Sequence, residues 1–211
     1  MPYLEWKSFT VFPQVLDIVA HLSSRVFLGE EVCRNEEWLE ITKAYTVVSV
    51  TAAHKIRKYP HWLRQIVHWF SADCQNVREL CAKAKAIITP TIEKRNKVRQ
   101  EALQNGEPVP KFDDAIDWFD QEGQGVDFDM ALLQLFLSHS ALHTTTDLVV
   151  ETIFMLSHRP ELVQELREEI ATVLRKEGWK KTALFNMKLL DSVLKEVQRV
   201  KPIGNGESPL S

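Results

Sequence analysis

The stretch DFDMALLQLFLSHSALHTTTDLVVETIFML, Asp127 to Leu156, is the most apolar part of the chain and decides its fold. Apolar residues fall all round a helical projection, so it reads as one long helix meant to be enclosed by others. Roughly thirty residues make a rod about 45 Å long. Its longest unbroken apolar run, Met130 to Leu137, ends at Ser138, His139 and Ser140. That run is too short to cross a bilayer.

The flanks are helical as well. C-terminally, PELVQELREEIATVLRKEG places Pro160 at the first helical position and Gly178 past the end. Thr182 to Val200 holds one or two further helices. N-terminally, Asp113 to Gln121 is a short amphipathic helix broken by Gly123 and Gly125, and Asn105 to Pro110 is the clearest linker. Ser71 caps a helix reaching about Leu103, which Pro90 bends or divides. His61 to Phe70 forms a short helix. Asn35, followed by Glu36 and Glu37, caps a helix that Pro60 stops after Tyr59. Phe9 to Phe27 is helical, with Gly29 as its terminating residue. No segment shows sustained strand alternation, and no internal repeat is present. The expected class is all-α.

The 211 residues carry a net charge of −3, with 45% hydrophobic and 26% charged residues, enough for one core or part of a larger one. This balance gives no nucleic-acid footprint, which requires a basic excess. Cys33, Cys74 and Cys81 are odd in number and form no CxxC pair, which points to a reducing, intracellular setting. The N-terminal MPYLEWKSFTVFPQ lacks the basic and apolar regions of a signal peptide. The expectation is a chain with no transmembrane segment, cytoplasmic by default.

Three stretches resemble the fungal cytochrome P450 family, in the family's order. The first is Leu22-Ser-Ser-Arg-Val-Phe-Leu-Gly29 followed by Cys33-Arg-Asn-Glu-Glu-Trp38. The second is Leu137-Ser-His-Ser-Ala-Leu-His-Thr-Thr-Thr-Asp147, similar to the family's oxygen-binding stretch. The third is Leu190-Asp-Ser-Val-Leu-Lys-Glu-Val-Gln-Arg199, similar to its ExxR helix. ExxR alone carries nothing, because Glu31-Val-Cys-Arg34 also satisfies it. The combination carries the resemblance, which covers about Phe9 to Pro202. It implies a partial P450 domain, residues 1–211, built around the central helix.

The resemblance also implies roles. Thr144 matches the alcohol, and His143 stands where many members carry Asp or Glu, of an acid–alcohol pair serving proton delivery in oxygen activation. Imidazole titrates near neutrality and can relay protons. Read without the family, Thr144 to Thr146 would simply bond back to helix carbonyls. Glu196 and Arg199 share a helical face at i, i+3 and match the structural ExxR pair. Outside the family they are an ordinary surface ion pair. His139 and His143 have i, i+4 metal-ligand spacing, but no Glu follows His139, so HExxH fails and no metal site is assigned.

In the family a Cys thiolate holds the haem iron, in a Phe- and Gly-rich loop beyond the ExxR helix. None of the three cysteines has that context, so no axial ligand, and no haem for this chain alone, is expected. The family's N-terminal anchor and sheet region are also unmatched. The implied reading is a truncated, inactive P450-like protein of fungal secondary metabolism, not an enzyme as it stands. A complete haem-dependent monooxygenase acting on a small hydrophobic metabolite, its gene model cut short, is the second reading. A helical interaction fragment is the third. Apolar surface left open on the central helix is expected to support self-association, or contact with another P450 or a reductase. Family members usually reside at the endoplasmic-reticulum membrane.

Overall fold

The computed structural model describes residues 8–123 and 128–202, and all regular structure among them is helical. The helices are α1 Val11–Val32, α2 Glu36–Arg57, α3 His61–Phe70, α4 Ala72–Asn105, α5 Ala115–Glu122, α6 Met130–Ser157, α7 Pro160–Glu177, α8 Lys181–Asn186 and α9 Lys188–Val200. The chain divides into two compact units, Leu16–His143 and Met1–Val15 with Thr144–Ser211.

In the first unit, α2 packs along α4. Asn35 caps α2 as its side chain predicts, accepting from the Trp38 amide at 2.9 Å. That cap sets Trp38 inward, where it is fully buried and its Nε1 donates to Ser24 Oγ of α1 at 3.2 Å. A fully buried large apolar side chain contributes about 1.5–3 kcal/mol. Leu28, Ile88, Leu135 and Leu142 are buried to the same degree.

Four features differ from the sequence reading. First, α1 does not end near Phe27. It continues to Val32 through a kink at Gly29, whose φ of 72° and ψ of −165° only glycine adopts readily. Second, of the two alternatives for Pro90, division does not occur, and α4 is one helix. Pro90 and Ala86 both face solvent, so the carbonyl that lacks a donor can be hydrated. Third, Ser71 occupies the N-cap position of α4 but its side chain makes no capping bond. Fourth, α1 is, among the described residues, long and apolar enough to cross a membrane by length and composition. It contains no long unbroken apolar run, because Asp17, His21 and Arg25 interrupt it. Within the first unit α1 is tied to α2 through Ser24 and through Asp17, which accepts from Lys43 at 3.2 Å.

The expected start of the central helix, Asp127, and the helix breaker Gly125 lie outside the described residues. Asp129 caps α6, accepting from the Ala131 amide at 3.1 Å and the Leu132 amide at 3.3 Å. In the first unit α6 buries Ala131, Gln134, Leu135, Ser138 and Leu142, a stripe at helical spacing, and exposes Leu132 and Phe136. In the second unit it buries Thr146, Val150 and Thr152 and exposes Ile153 and Phe154. Leu166, Val193 and Val197 form that unit's core, covered by Leu148, Met155, Leu156, Leu162, Leu189 and Leu190. Pro160 opens α7 and Gly178 closes it, both as expected.

Candidate functional site

The hydroxyl-rich turn of α6 follows from the apolar residues around it. Helix propensity there is weak, and burial of one stripe keeps the segment helical. Ser140 Oγ donates to the Phe136 carbonyl at 3.0 Å, and Thr152 Oγ1 to the Leu148 carbonyl at 2.6 Å. Such back-bonding satisfies hydroxyls on a helix and favours slight bending. Along the turn the three threonines differ. Thr146 is fully buried, Thr144 and Thr145 are exposed, and His143 is half-buried. The division between the two units falls between His143 and Thr144.

One turn earlier, His139 packs edge-on against Tyr45 of α2, with ring centroids 6.4 Å apart. Tyr45 also interacts with Cys81 of α4. Burial raises the Tyr45 phenol above its ordinary range, and burial likewise raises the Cys81 thiol, with Asp129 adding to the effect. A thiol pushed up in this way is a poor metal ligand or nucleophile.

The ExxR pair is formed on α9. Arg199 Nε donates to Glu196 Oε2 at 2.7 Å and Nη2 to Oε1 at 2.6 Å. The Arg199 guanidinium holds the Glu196 carboxyl below its ordinary range. Both side chains are largely exposed, at 71% and 49%, so water screens them and the bidentate geometry mainly fixes one side chain against the other. More consequential is what seats α9. Its first turn has no side-chain cap of its own. Instead, Glu169 of α7 accepts from the Leu189 amide at 2.7 Å and the Leu190 amide at 3.0 Å. At the other end, Lys201 pairs with Glu151 of α6 at 2.9 Å.

The three cysteines do not fit an axial thiolate. Cys33 follows α1, is buried, and donates to the Glu30 carbonyl at 3.6 Å. Cys74 is buried on α4. Cys81 sits on the same helix beside Tyr45 with its thiol held in the protonated form. Among the described residues no group of three His, Cys, Asp or Glu side chains is arranged around a metal position.

The strongest polar construction lies elsewhere and escaped sequence reasoning. Arg95 of α4 is 3% exposed and Asp114 is completely buried; Arg95 Nη2 donates to Oδ2 at 2.7 Å and Nη1 to Oδ1 at 2.9 Å. The guanidinium also covers the Phe112 ring at 4.4 Å and donates to the Leu28 carbonyl at 3.4 Å. Asp114 simultaneously caps α5, accepting from the Asp117 amide at 3.0 Å. Arg99 binds Asp117 and Asp120 one turn further along. This network clamps the α1 kink, α4 and α5 together. Gly29 is the only local sign of it, since a Cβ there would overlap Asp114 Oδ2.

A long helix with a hydroxyl run, a proline-started amphipathic helix and an ExxR helix, in that order, define the helical block of one monooxygenase class. The chain belongs to the cytochrome P450 family, whose sequence profile, "Cytochrome P450", matches residues 5–208. Among fungal relatives it is 49% identical over 191 residues to cytochrome P450 monooxygenase 2 of Gibberella fujikuroi, which covers 89% of this chain and 40% of that protein. It is 48% identical over 201 residues to cytochrome P450 monooxygenase hepE of Aspergillus oryzae, covering 94% and 37%. To cytochrome P450 monooxygenase eqxH of Fusarium heterosporum it is 47% identical over 198 residues, covering 94% and 38%. The chain therefore spans about 40% of the length of the curated relatives it matches.

Proposed function

We propose that these 211 residues form the mid-chain helical block of a fungal cytochrome P450 monooxygenase and, as a free polypeptide, do not catalyse oxidation. One observation supports this reading: Cys33 and Cys74 are buried and Cys81 packs beside Tyr45, so none of the three sulfurs stands as an open axial ligand. His143 and Thr144 are the residues assigned to proton handling, and Glu196 with Arg199 to a structural role. In this reading the activity belongs to the block only when it is completed by the remaining length its relatives possess. That activity would be haem-dependent oxidation of a small hydrophobic metabolite, encoded in a secondary-metabolite gene cluster.

The test is a graft. The 211 residues replace the matching segment of the Gibberella fujikuroi relative, and the chimera is purified with haem. A thiolate-type reduced–carbon monoxide spectrum, with turnover that falls in the Thr144→Ala chimera, is the expected result. A chimera that folds and binds haem but turns over equally well with Thr144→Ala would remove the role given to that residue. One that folds and binds no haem would remove the reading as a whole.

A further inference from the structure

The inward stripe of α6 carries two polar residues among its apolar ones. Gln134 is completely buried and Ser138 is 2% exposed. They stand at i, i+4, so their side chains lie one above the other on one face of the helix. Neither Gln134 Oε1 nor Ser138 Oγ has a hydrogen-bond partner among the described residues. The large majority of buried side-chain polar atoms are hydrogen-bonded, to protein or to ordered water, so two open atoms one turn apart call for a shared partner.

The orientation of both groups is set by their neighbours. Gln134 Nε2 reaches the Met130 sulfur at 3.6 Å. A thioether sulfur accepts but does not donate, so the amide keeps Nε2 toward the sulfur and Oε1 open. Ser138 departs from the habit of other buried hydroxyls. Thr42, Thr46 and Thr152 bond back to the carbonyls of Leu39, Thr42 and Leu148 at 2.9, 3.2 and 2.6 Å, and Ser24 Oγ accepts from Trp38 Nε1. The Ser138 hydroxyl makes no such bond, which leaves its proton available to a group beside the helix. From Met130 to Leu142 the helix carries no Asp, Glu, Lys or Arg, so a bare ion would find no counter-charge on it. Ala131, buried on the same face one turn before Gln134, adds little bulk. The missing partner is therefore small and neutral, and both donates and accepts.

We propose that Gln134 and Ser138 hold one internal water molecule in the first unit. The water donates to Gln134 Oε1 and accepts from the Ser138 hydroxyl, which meets the lower end of the two to four partners a buried water needs. It lets the central helix bury an amide and a hydroxyl on its inward stripe without stranding either. The site is made from this chain's own side chains and is independent of the function proposed above.

The experiment is magnetic relaxation dispersion of isotope-labelled water oxygen in solutions of the purified chain. It counts water molecules that exchange slowly with bulk, and the oxygen signal does not respond to exchanging hydroxyl protons. A dispersion is expected for the parent. Gln134→Leu with Ser138→Ala should lower its amplitude by the share of one long-lived water while far-UV circular dichroism stays unchanged. Ser140→Ala, which removes an exposed hydroxyl bonded to the Phe136 carbonyl, should leave the amplitude as it was. If the double variant does not fold, Gln134→Met and Ser138→Ala made singly carry the same test. Each leaves the water one partner, too few to hold it, and each should give the same drop. The proposal is overturned if the parent shows no dispersion, or if folded variants lacking either polar group keep the parent's amplitude.

Discussion

Replacing Asp114 with Ala tests the physical core of the first unit. The carboxylate is fully buried and gives both oxygens to Arg95, itself 3% exposed. Removing it leaves a guanidinium enclosed by the Phe112 ring and the Leu28 carbonyl, with Glu31 Oε2 at 3.8 Å as its nearest remaining anion. Breaking one partner out of a buried pair costs about 3–5 kcal/mol. The same substitution removes the α5 cap, worth about 1 kcal/mol more. Against a typical total of about 5–15 kcal/mol, the variant should sit close to unfolding. Urea titration followed by far-UV circular dichroism measures the loss. The double variant Arg95→Met with Asp114→Asn keeps a capping side chain and removes the stranded charge, so it should recover most of it. A loss under about 1 kcal/mol for Asp114→Ala would refute the claim that this pair organises the unit.

Gly29→Ala combines a backbone conformation restricted to glycine with overlap of the new Cβ and Asp114 Oδ2; it should cost about 1–3 kcal/mol or more in the same titration. Lys85, hydrogen-bonded at 2.9 Å, holds the Asp129 carboxyl below its ordinary value. The stabilisation from this group is complete above the unfolded carboxylate pKa and is lost as pH falls through the depressed folded value. Asp129→Ala should remove that acid-side dependence and cost about 1 kcal/mol through the α6 cap, whereas Asp129→Asn should remove the dependence but keep most of the cap. Glu169→Ala strips the acceptor from the Leu189 and Leu190 amides and should cost about 1 kcal/mol, seen as faster hydrogen exchange confined to the first turn of α9.

Local signals carried most of the fold. Asn35, Pro160 and Gly178 mark helix ends through their own backbone or side-chain chemistry, and each stands where that chemistry puts it. Gly29 misled for the same reason. A positive-φ glycine ordinarily ends a helix, but here it bends one so that its backbone can approach a buried carboxylate supplied by a distant segment. The Arg95–Asp114 pair and the Glu169 cap join residues 19 to 21 positions apart. Periodicity cannot reveal such partners, because each looks like a surface charge until the helices are assembled. The exposure of α3 was hidden differently: the sequence reads His61 to Phe70 as a short helix, and only the packing shows that none of its residues is buried among the described residues. At the candidate site the motif order was legible, whereas the contrast between exposed Thr144 and buried Thr146 depends on helix rotation within the fold.

The most direct test of the central claim is spectroscopic. The purified 211-residue chain is titrated with haemin, reduced, and exposed to carbon monoxide. With Cys33 and Cys74 buried and the Cys81 thiol kept protonated, no red-shifted Soret band of a thiolate–haem complex should develop. Such a band, lost on substitution of any one of the three cysteines by Ser, would contradict the account.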